Sequence, residues 1–430
     1  MTLHASPTTS TWSFDPITKQ VVYYRQHGSI YGEASAPVRW FETIAPWLRD
    51  DMGFEQGCNE PCVFYHRERD LLIVLYVDDC LADGDEHQIR WIFDELDNRF
   101  KCKGPDWLSP TTPVDFIGMD LTVTSDSIYL DMERYITTVA LPVLGLEQCK
   151  PVSTPISDPI PADSPPLDPP SRRKFMTAVG CLGWLVNTGR PDCSYAHSRI
   201  AQHMALPTEG ALTAVLRVFR YLKGTANLAL SAPLYGPDID VDMAFNQQPL
   251  QGSTRKVDHG WRFFCDTDFA GNCEPQNRRR SQNGVVAMQN GAAVFWASKV
   301  SSVAFAHPDI GEAHADTSSG AAEVYGAANA TYDILHLSYV VDEMGLPFPK
   351  PIKLEMDNTT AEAFVKNSAF KSKLKHIDAR QEWVRVLRNK DILYAEHVDT
   401  NDNVADLMTK ILPVGKFADL RSKIMAPRPI

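Results

Sequence analysis

Eight prolines fall within the twenty residues 151–170, PVSTPISDPIPADSPPLDPP. Proline lacks a backbone N–H and fixes φ, so neither a helix interior nor a central strand can run through such a stretch. Regular structure must therefore be built in blocks before and after it. The stretch itself reads as an extended, semi-rigid linker, and as the internal segment most open to proteolysis. The chain has 430 residues, enough for roughly two to four domains. Apolar residues make up 44% and charged residues 22%, the balance of a globular protein. No apolar run approaches the length of a membrane span, and MTLHASPTTSTW lacks the basic and apolar regions of a signal peptide. Nine cysteines without a repeating framework point to reduced thiols and an intracellular protein, cytoplasmic or nuclear. Cys58 and Cys62 form the only close pair, and with no matching second pair a zinc site is not expected there. A net charge of −12 argues against binding nucleic acid over the whole surface but leaves room for a local basic track.

Residues 71–76, LLIVLY, are apolar without a break, which reads as a strand buried on both faces. Asp78 and Asp79 follow, then Cys80, Leu81 and Ala82, then Asp83-Gly84. The simplest geometry is a hairpin with the acid pair at or near its tip. Side chains alternate along a strand, so one carboxylate can face a cleft. Paired acids beside a dry strand suit Mg²⁺, a hard cation. Taken alone, Asp-Asp is more often a turn pair. Helical spacing flanks this hairpin over 37–52, with Trp40, Ile44, Trp47 and Leu48 on one face, and over 87–100, with Ile89, Ile92, Phe93, Leu96 and Phe100. Residues 1–28 carry little pattern.

Beyond the prolines, residues 175–186, 195–204 and 211–222 show helical spacing. Arg217, Arg220 and Lys223 lie three apart and share a face, either a phosphate-facing stripe or a solvated basic ridge. Residues 232–258 read as a loop-rich passage.

The last third carries spaced carboxylates. Residues 261–265 read as a strand with Asp266 at its end. Residues 285–288 and 292–296 flank Asn290-Gly291, a hairpin turn signal. A helix is expected over about 320–344, with a stripe of Glu323, Ala327, Ala330, Ile334, Leu337 and Val341. That places Glu323 on the buried face near the helix N-terminus, which favours an anion. A glutamate there can equally serve only the helix dipole. Ile352, Leu354 and Met356 alternate on a strand, and Asp357 ends it. Val404, Leu407, Met408 and Ile411 mark a helix with Asp406 on an adjacent face, at the rim of any cleft the other acids form. Asp268 is read as structural.

Several ordered motifs resemble one family. Tyr76-Val77-Asp78-Asp79 after an apolar strand resembles the catalytic hairpin of reverse transcriptases. Ser29-Ile30-Tyr31-Gly32, Ala36-Pro37, Trp40-Phe41 and Phe116-Ile117-Gly118-Met119-Asp120 resemble segments of the copia-type retrotransposon Pol polyprotein. So do Gly180-Cys181-Leu182-Gly183-Trp184-Leu185, Arg190-Pro191-Asp192 and Arg220-Tyr221-Leu222-Lys223-Gly224-Thr225. Cys265-Asp266-Thr267-Asp268, Trp296-Ala297-Ser298-Lys299, Ala322-Glu323, Asp357-Asn358, Lys375-His376-Ile377-Asp378 and Ala405-Asp406-Leu407-Met408-Thr409-Lys410 resemble its ribonuclease H domain.

The resemblance covers roughly residues 29–412 and implies an α/β protein: a partial reverse-transcriptase palm, a helical connection, and a ribonuclease H-like mixed sheet with flanking helices. The implied divisions are a poorly patterned segment 1–28, palm and thumb 29–150, linker 151–170, connection 171–258, ribonuclease H-like domain 259–412 and tail 413–430. It implies catalytic, metal-holding acids Asp266, Glu323, Asp357 and Asp406, with Mg²⁺ or Mn²⁺, and an incomplete polymerase-like pair, Asp78 and Asp79. The family's third polymerase acid lies upstream, and no residue before Ser29 matches its context, so primer extension by this chain is not expected. Arg279, Arg280, Lys373, Lys375 and His376 are candidate nucleic-acid contacts. The expected partners are an RNA–DNA hybrid or other nucleic acid, and the missing upstream segment or other polyprotein parts, with no membrane. The implied activity is metal-dependent hydrolysis of RNA in a hybrid; the alternative is an inert or domesticated remnant that only binds nucleic acid or folds. One departure bears on the site. The stretch AHPDIGEAHADT before Ser318 is longer than the family's connection and either displaces Glu323 or is a harmless loop.

Overall fold

The computed structural model describes residues 10–14, 21–25, 33–110, 112–233, 260–269, 280–301, 305–306, 313–314, 319–357 and 379–429. They form two compact units: Met1–Trp107 with Tyr339–Leu346, and Leu108–Ser338 with Pro347–Ile430. No helix among the described residues is long and apolar enough to cross a membrane.

In the first unit, β1 (Ser10–Phe14) pairs with β2 (Val21–Arg25), a hairpin in a region whose sequence carries little pattern. The main sheet is antiparallel, in the order β3 (Glu55–Gln56), β4 (Val63–His66), β5 (Leu71–Tyr76), β6 (Asp79–Asp83). Along β5, Leu71, Ile73 and Leu75 are buried, while Leu72 and Val74 are half-buried. The strand expected to be dry on both faces is thus dry on one, as befits an antiparallel sheet with a single packed face. That face meets Ile92 and Leu96 of α2 (Glu86–Phe100), together with Ile44 of α1 (Ala36–Pro46) and Leu48 just beyond it. The Asp85 side chain caps α2 by accepting from the His87 N–H.

The second unit has two five-stranded sheets. One is antiparallel, in the order β18 (Ala426–Pro427), β10 (Leu228–Pro233), β9 (Ser127–Asp131), β8 (Met119–Val123), β7 (Val114–Phe116). The other is mixed and centred on β11 (Trp261–Asp268). On one side β12 (Gln282–Gln289) and β13 (Ala292–Val300) form an antiparallel meander, turning at Asn290 and Gly291, both at positive φ. On the other side β16 (Ile352–Met356) and β17 (Leu393–His397) run parallel to β11. This is the mixed sheet with flanking helices that the resemblance implies. Helices α3 (Pro169–Thr188), α4 (Ser194–Ala201) and α5 (Glu209–Gly224) precede the mixed sheet; α6 (Ser319–Glu343), which belongs to this unit as far as Ser338, precedes β16, and α7 (Ala379–Asn389) precedes β17. The long connection before α6 is largely outside the described residues; its described parts, β14 (Phe305–Ala306) and β15 (Ala313–His314), pair with each other.

Three expectations change here. The proline-rich stretch does not float as a linker. It lacks long regular elements, yet Thr154, Pro155, Ile156 and Ile160 are buried, and both isoleucines join the unit's core. Its last two prolines open α3, where a missing N–H costs nothing. The basic ridge of α5 is half-buried and engaged by the chain itself. Arg220 donates to Lys150 O at 2.8 Å, Lys223 donates to the Glu147 and Cys149 carbonyls, and Arg217 donates to Thr154 Oγ1 at 3.2 Å. The ridge clamps the chain that leads into the prolines. Residues 413–429, expected as a tail, carry regular structure. Helix α8 (Val414–Ser422) buries Phe417 and Leu420, and β18 completes the edge of the antiparallel sheet.

Candidate metal centre

Asp266 does not end its strand; β11 continues through Asp268. Parallel pairing sets Phe263 beside Leu354 and Phe264 beside Glu355, so two residues further on Asp357 comes alongside Asp266. Arg262, on β11, pairs with the buried Glu355 of β16 at 2.6 Å and ties the two strands together. Asp406 comes from a 3-10 turn, Val404–Met408, laid against the sheet. Two residues allow this. Gly284 lies opposite Asp266 on β12, and a Cβ there would sit 2.7 Å from Met408 Cβ and 2.9 Å from Ala405 O. Asn403 caps the turn by accepting from the Ala405 N–H and donates to Cys265 O at 3.1 Å. As a result, one oxygen each of Asp266, Asp357 and Asp406 lies within 4.8 Å of the others.

Asp406 was expected at a rim and is fully buried; Asp357 is the more open of the three. The reason is cover: the turn packs against β11, β12, α4 and α8, and all five residues of VADLM are buried. Glu323, the fifth residue of α6, is half-buried and is not among the three grouped acids. It is close enough to help raise the pKa of the buried Cys265 thiol, after burial itself. One turn later Gly326 packs onto β11 so closely that a Cβ would lie 1.9 Å from Thr267 Oγ1.

Basic groups answer the acids. Lys410 Nζ lies 2.8 Å from Asp406 Oδ1 and 3.3 Å from Asp266 Oδ1, and Lys416 Nζ lies 2.6 Å from Asp406 Oδ2. The Thr409 hydroxyl donates to Asp266 Oδ2. Burial, against the pull of Lys410, pushes the Asp266 carboxyl up to about 6. Burial would lower Lys410, but Asp266 and Asp406 outweigh it and hold the ammonium charged. The donor set suits a hard divalent cation: three carboxylates, with Asp406 Oδ1 buried beside the Lys410 ammonium. Neither lysine was singled out from sequence, although Lys410 follows Asp406 at the i,i+4 spacing of a helical ion pair.

Asp268 was set aside as structural. Because the strand continues, it shares a face with Asp266, two residues back. It lines a cleft of about 270 Å³ with Lys410, Tyr195, Arg199 and Ile156. Strand period could have found it.

Asp78 and Asp79 are exposed at the tip of the β5–β6 hairpin, where Val77 takes φ 55° and Trp40 Nε1 donates to its carbonyl at 2.5 Å. Among the described residues neither this pair nor the free thiols Cys58 and Cys62 belong to a group of three possible metal ligands; Glu343 accepts from the Cys58 N–H and Glu60 from the Cys62 N–H. Arg280 is half-buried just before β12; Arg279, Lys373, Lys375 and His376 lie outside the described residues.

Residues 14–158 match the family model described as reverse transcriptase (RNA-dependent DNA polymerase). The chain is 26% identical over 417 residues to the retrovirus-related Pol polyprotein from transposon TNT 1-94 of Nicotiana tabacum, covering 94% of this chain and 28% of that one. It is 28% identical over 409 residues to the corresponding polyprotein from transposon RE1 of Arabidopsis thaliana, covering 93% of this chain and 25% of that one. It therefore spans about a quarter of the length of these relatives. Among solved structures, a ribonuclease H1 isolated from compost by a metagenomic approach matches with 17% identity and a TM-score of 0.25, covering 35% of this chain and 91% of its own.

Proposed function

We propose, taking this chain as a relative of the copia-type retrotransposon Pol polyproteins, that its second unit hydrolyses the RNA strand of an RNA–DNA hybrid at Asp266, Asp357 and Asp406. The observation that carries this reading is the convergence of three carboxylates, from β11, β16 and the 3-10 turn, within 4.8 Å. These residues would hold Mg²⁺ or Mn²⁺, with Glu323 completing the set from α6. A divalent cation there supplies an activated water and stabilises the leaving oxygen. The chain's own part is placement. Thr409 fixes the Asp266 carboxylate through its hydroxyl, Gly284 and Asn403 bring Asp406 alongside, and the buried Asp406 keeps water from one side. A hybrid is read through its shape, its phosphates and the 2′-hydroxyls, not its base edges. Asp78 and Asp79 belong to a polymerase-like hairpin whose partners are other parts of a longer polyprotein.

A second reading, an inert remnant, is favoured by one observation: Lys410 and Lys416 already neutralise two of the three acids. One experiment separates the two. With Mg²⁺, the purified chain should cleave the labelled RNA strand of a hybrid. Asp266→Asn and Asp357→Asn should each reduce the rate more than about 100-fold, the scale of a lost catalytic group, with the fold retained by circular dichroism. Asp406→Asn should do the same, because a buried ligand is not replaced by solvent. Asp78→Asn should leave cleavage unchanged. Wild-type protein that neither cleaves nor melts higher with Mg²⁺ leaves the inert reading standing.

A further inference from the structure

Lys410 sits where a cation is wanted. Its ammonium reaches carboxylates of two different elements, Asp406 at 2.8 Å and Asp266 at 3.3 Å. Lys416 differs: it hydrogen-bonds Asp406 Oδ2 at 2.6 Å and does not bridge to β11. Lys410 meets the other oxygen of that carboxylate, Asp406 Oδ1. Lys410 also lines the cleft of about 270 Å³ shared with Asp268, Arg199 and Tyr195, so its side chain has an open volume and a carboxylate to move toward. Three clustered acids without a counter-charge repel one another. A bridging ammonium offsets that repulsion at the position where a divalent ion would offset it more strongly.

We propose that Lys410 is an internal stand-in cation. In the metal-free chain it holds Asp266 and Asp406 together, and it withdraws into the Asp268 cleft when a divalent metal binds, so that metal affinity is set by competition with this lysine. The proposal rests on the reading of the three acids as a metal centre. Its thermodynamic form is simple: the apparent affinity is the intrinsic affinity reduced by the fraction of molecules in which Lys410 has left.

The test measures Mn²⁺ binding by calorimetry, and melting in EDTA and in Mn²⁺, on the full chain and on Lys410→Gln, Lys410→Arg, Lys416→Gln and Asp266→Asn. Lys410→Gln should melt lower in EDTA and bind Mn²⁺ more tightly, about tenfold if the competent fraction is about a tenth. Lys410→Arg, which keeps the charge, should stay closer to wild type. Lys416→Gln removes the same charge without removing a bridge, so its gain should be clearly smaller. Equal affinities for wild type and Lys410→Gln, or a gain no larger than that of Lys416→Gln, overturn the stand-in role while leaving the metal centre intact, provided Asp266→Asn abolishes binding. Absence of Mn²⁺ binding in wild type and Lys410→Gln alike removes the metal centre itself, and the proposal with it.

Discussion

Gly284 shows how one missing methyl group sets the chemistry available. It is paired with Asp266 across the β11–β12 ladder, and the turn carrying Asp406 rests directly on it. An alanine there meets Met408 Cβ and backbone Ala405 O, neither of which is the end of a flexible chain. The turn must lift, and Asp406 moves away from Asp266. Overpacking of this kind costs about 1–3 kcal/mol. Gly284→Ala should therefore lower the melting temperature and also abolish Mn²⁺ binding measured by calorimetry. Wild-type affinity in that variant would show that the turn tolerates the shift. Nothing in the local sequence around Gly284 announces this, because the atoms it avoids lie more than a hundred residues away.

At the scale of elements, buried charge at a junction makes the sharper case. Asp131 ends β9, accepts the Glu133 N–H at 3.0 Å and lies 3.5 Å from Arg428. Burial raises its carboxyl above the ordinary value of 3.8, outweighing the Glu133 hydrogen bond and the Arg428 charge. A raised folded pKa gives stability that is fully present below the ordinary value and is lost as pH rises through the folded one. Asparagine can accept the same N–H and has no such loss. Asp131→Asn should thus gain stability relative to wild type between about pH 4 and pH 7, read from urea midpoints at the two pH values. A relative loss over that range would mean that Arg428 outweighs burial. The proline-rich stretch gives the complementary lesson. Its lack of backbone donors was legible; its isoleucines and the α5 clamp that seats it acquire meaning only once α5 is folded beside it.

Within the second unit, which holds most of the molecule, the connection helices, the mixed sheet and the C-terminal residues share one core. Phe175 and Phe219 from the helices, Phe264 and Val286 from the sheet, and Phe417 and Leu420 from α8 belong to the same cluster. Residues beyond Leu412 also supply Lys416 to Asp406, Arg421 to Tyr221 and Arg428 to Glu133. Four side chains, Phe417, Leu420, Ile424 and Met425, are buried there. At about 1.5–3 kcal/mol each, their loss rivals the entire stability of a typical domain, about 5–15 kcal/mol. A chain ending at Leu412 should lose the cooperative melting of the second unit in calorimetry, together with Mn²⁺ binding. A truncated chain that melts like the full one would make α8 and β18 dispensable.

Strand β5 and the turn after it, helix α2, the Asn290-Gly291 hairpin and the start of α6 were all determined by the sequence alone. Each follows from side-chain period and turn chemistry among neighbours in the chain. The acids at 266, 323, 357 and 406 were legible too, as residue types in order. Which of them meet was not. Asp406 is buried because its 3-10 turn packs against β11 and β12, and that turn is held by Asn403 reaching Cys265, 138 positions away. Lys410 bridges two acids that only folding brings together. One face of β5 stays partly open because its sheet is covered on one side, and prolines pack because the α5 ridge seats them. Period and turn chemistry act over a few residues, so the sequence settles the elements; burial and charge pairing act between surfaces that exist only after those elements have packed, so the tertiary structure settles the site.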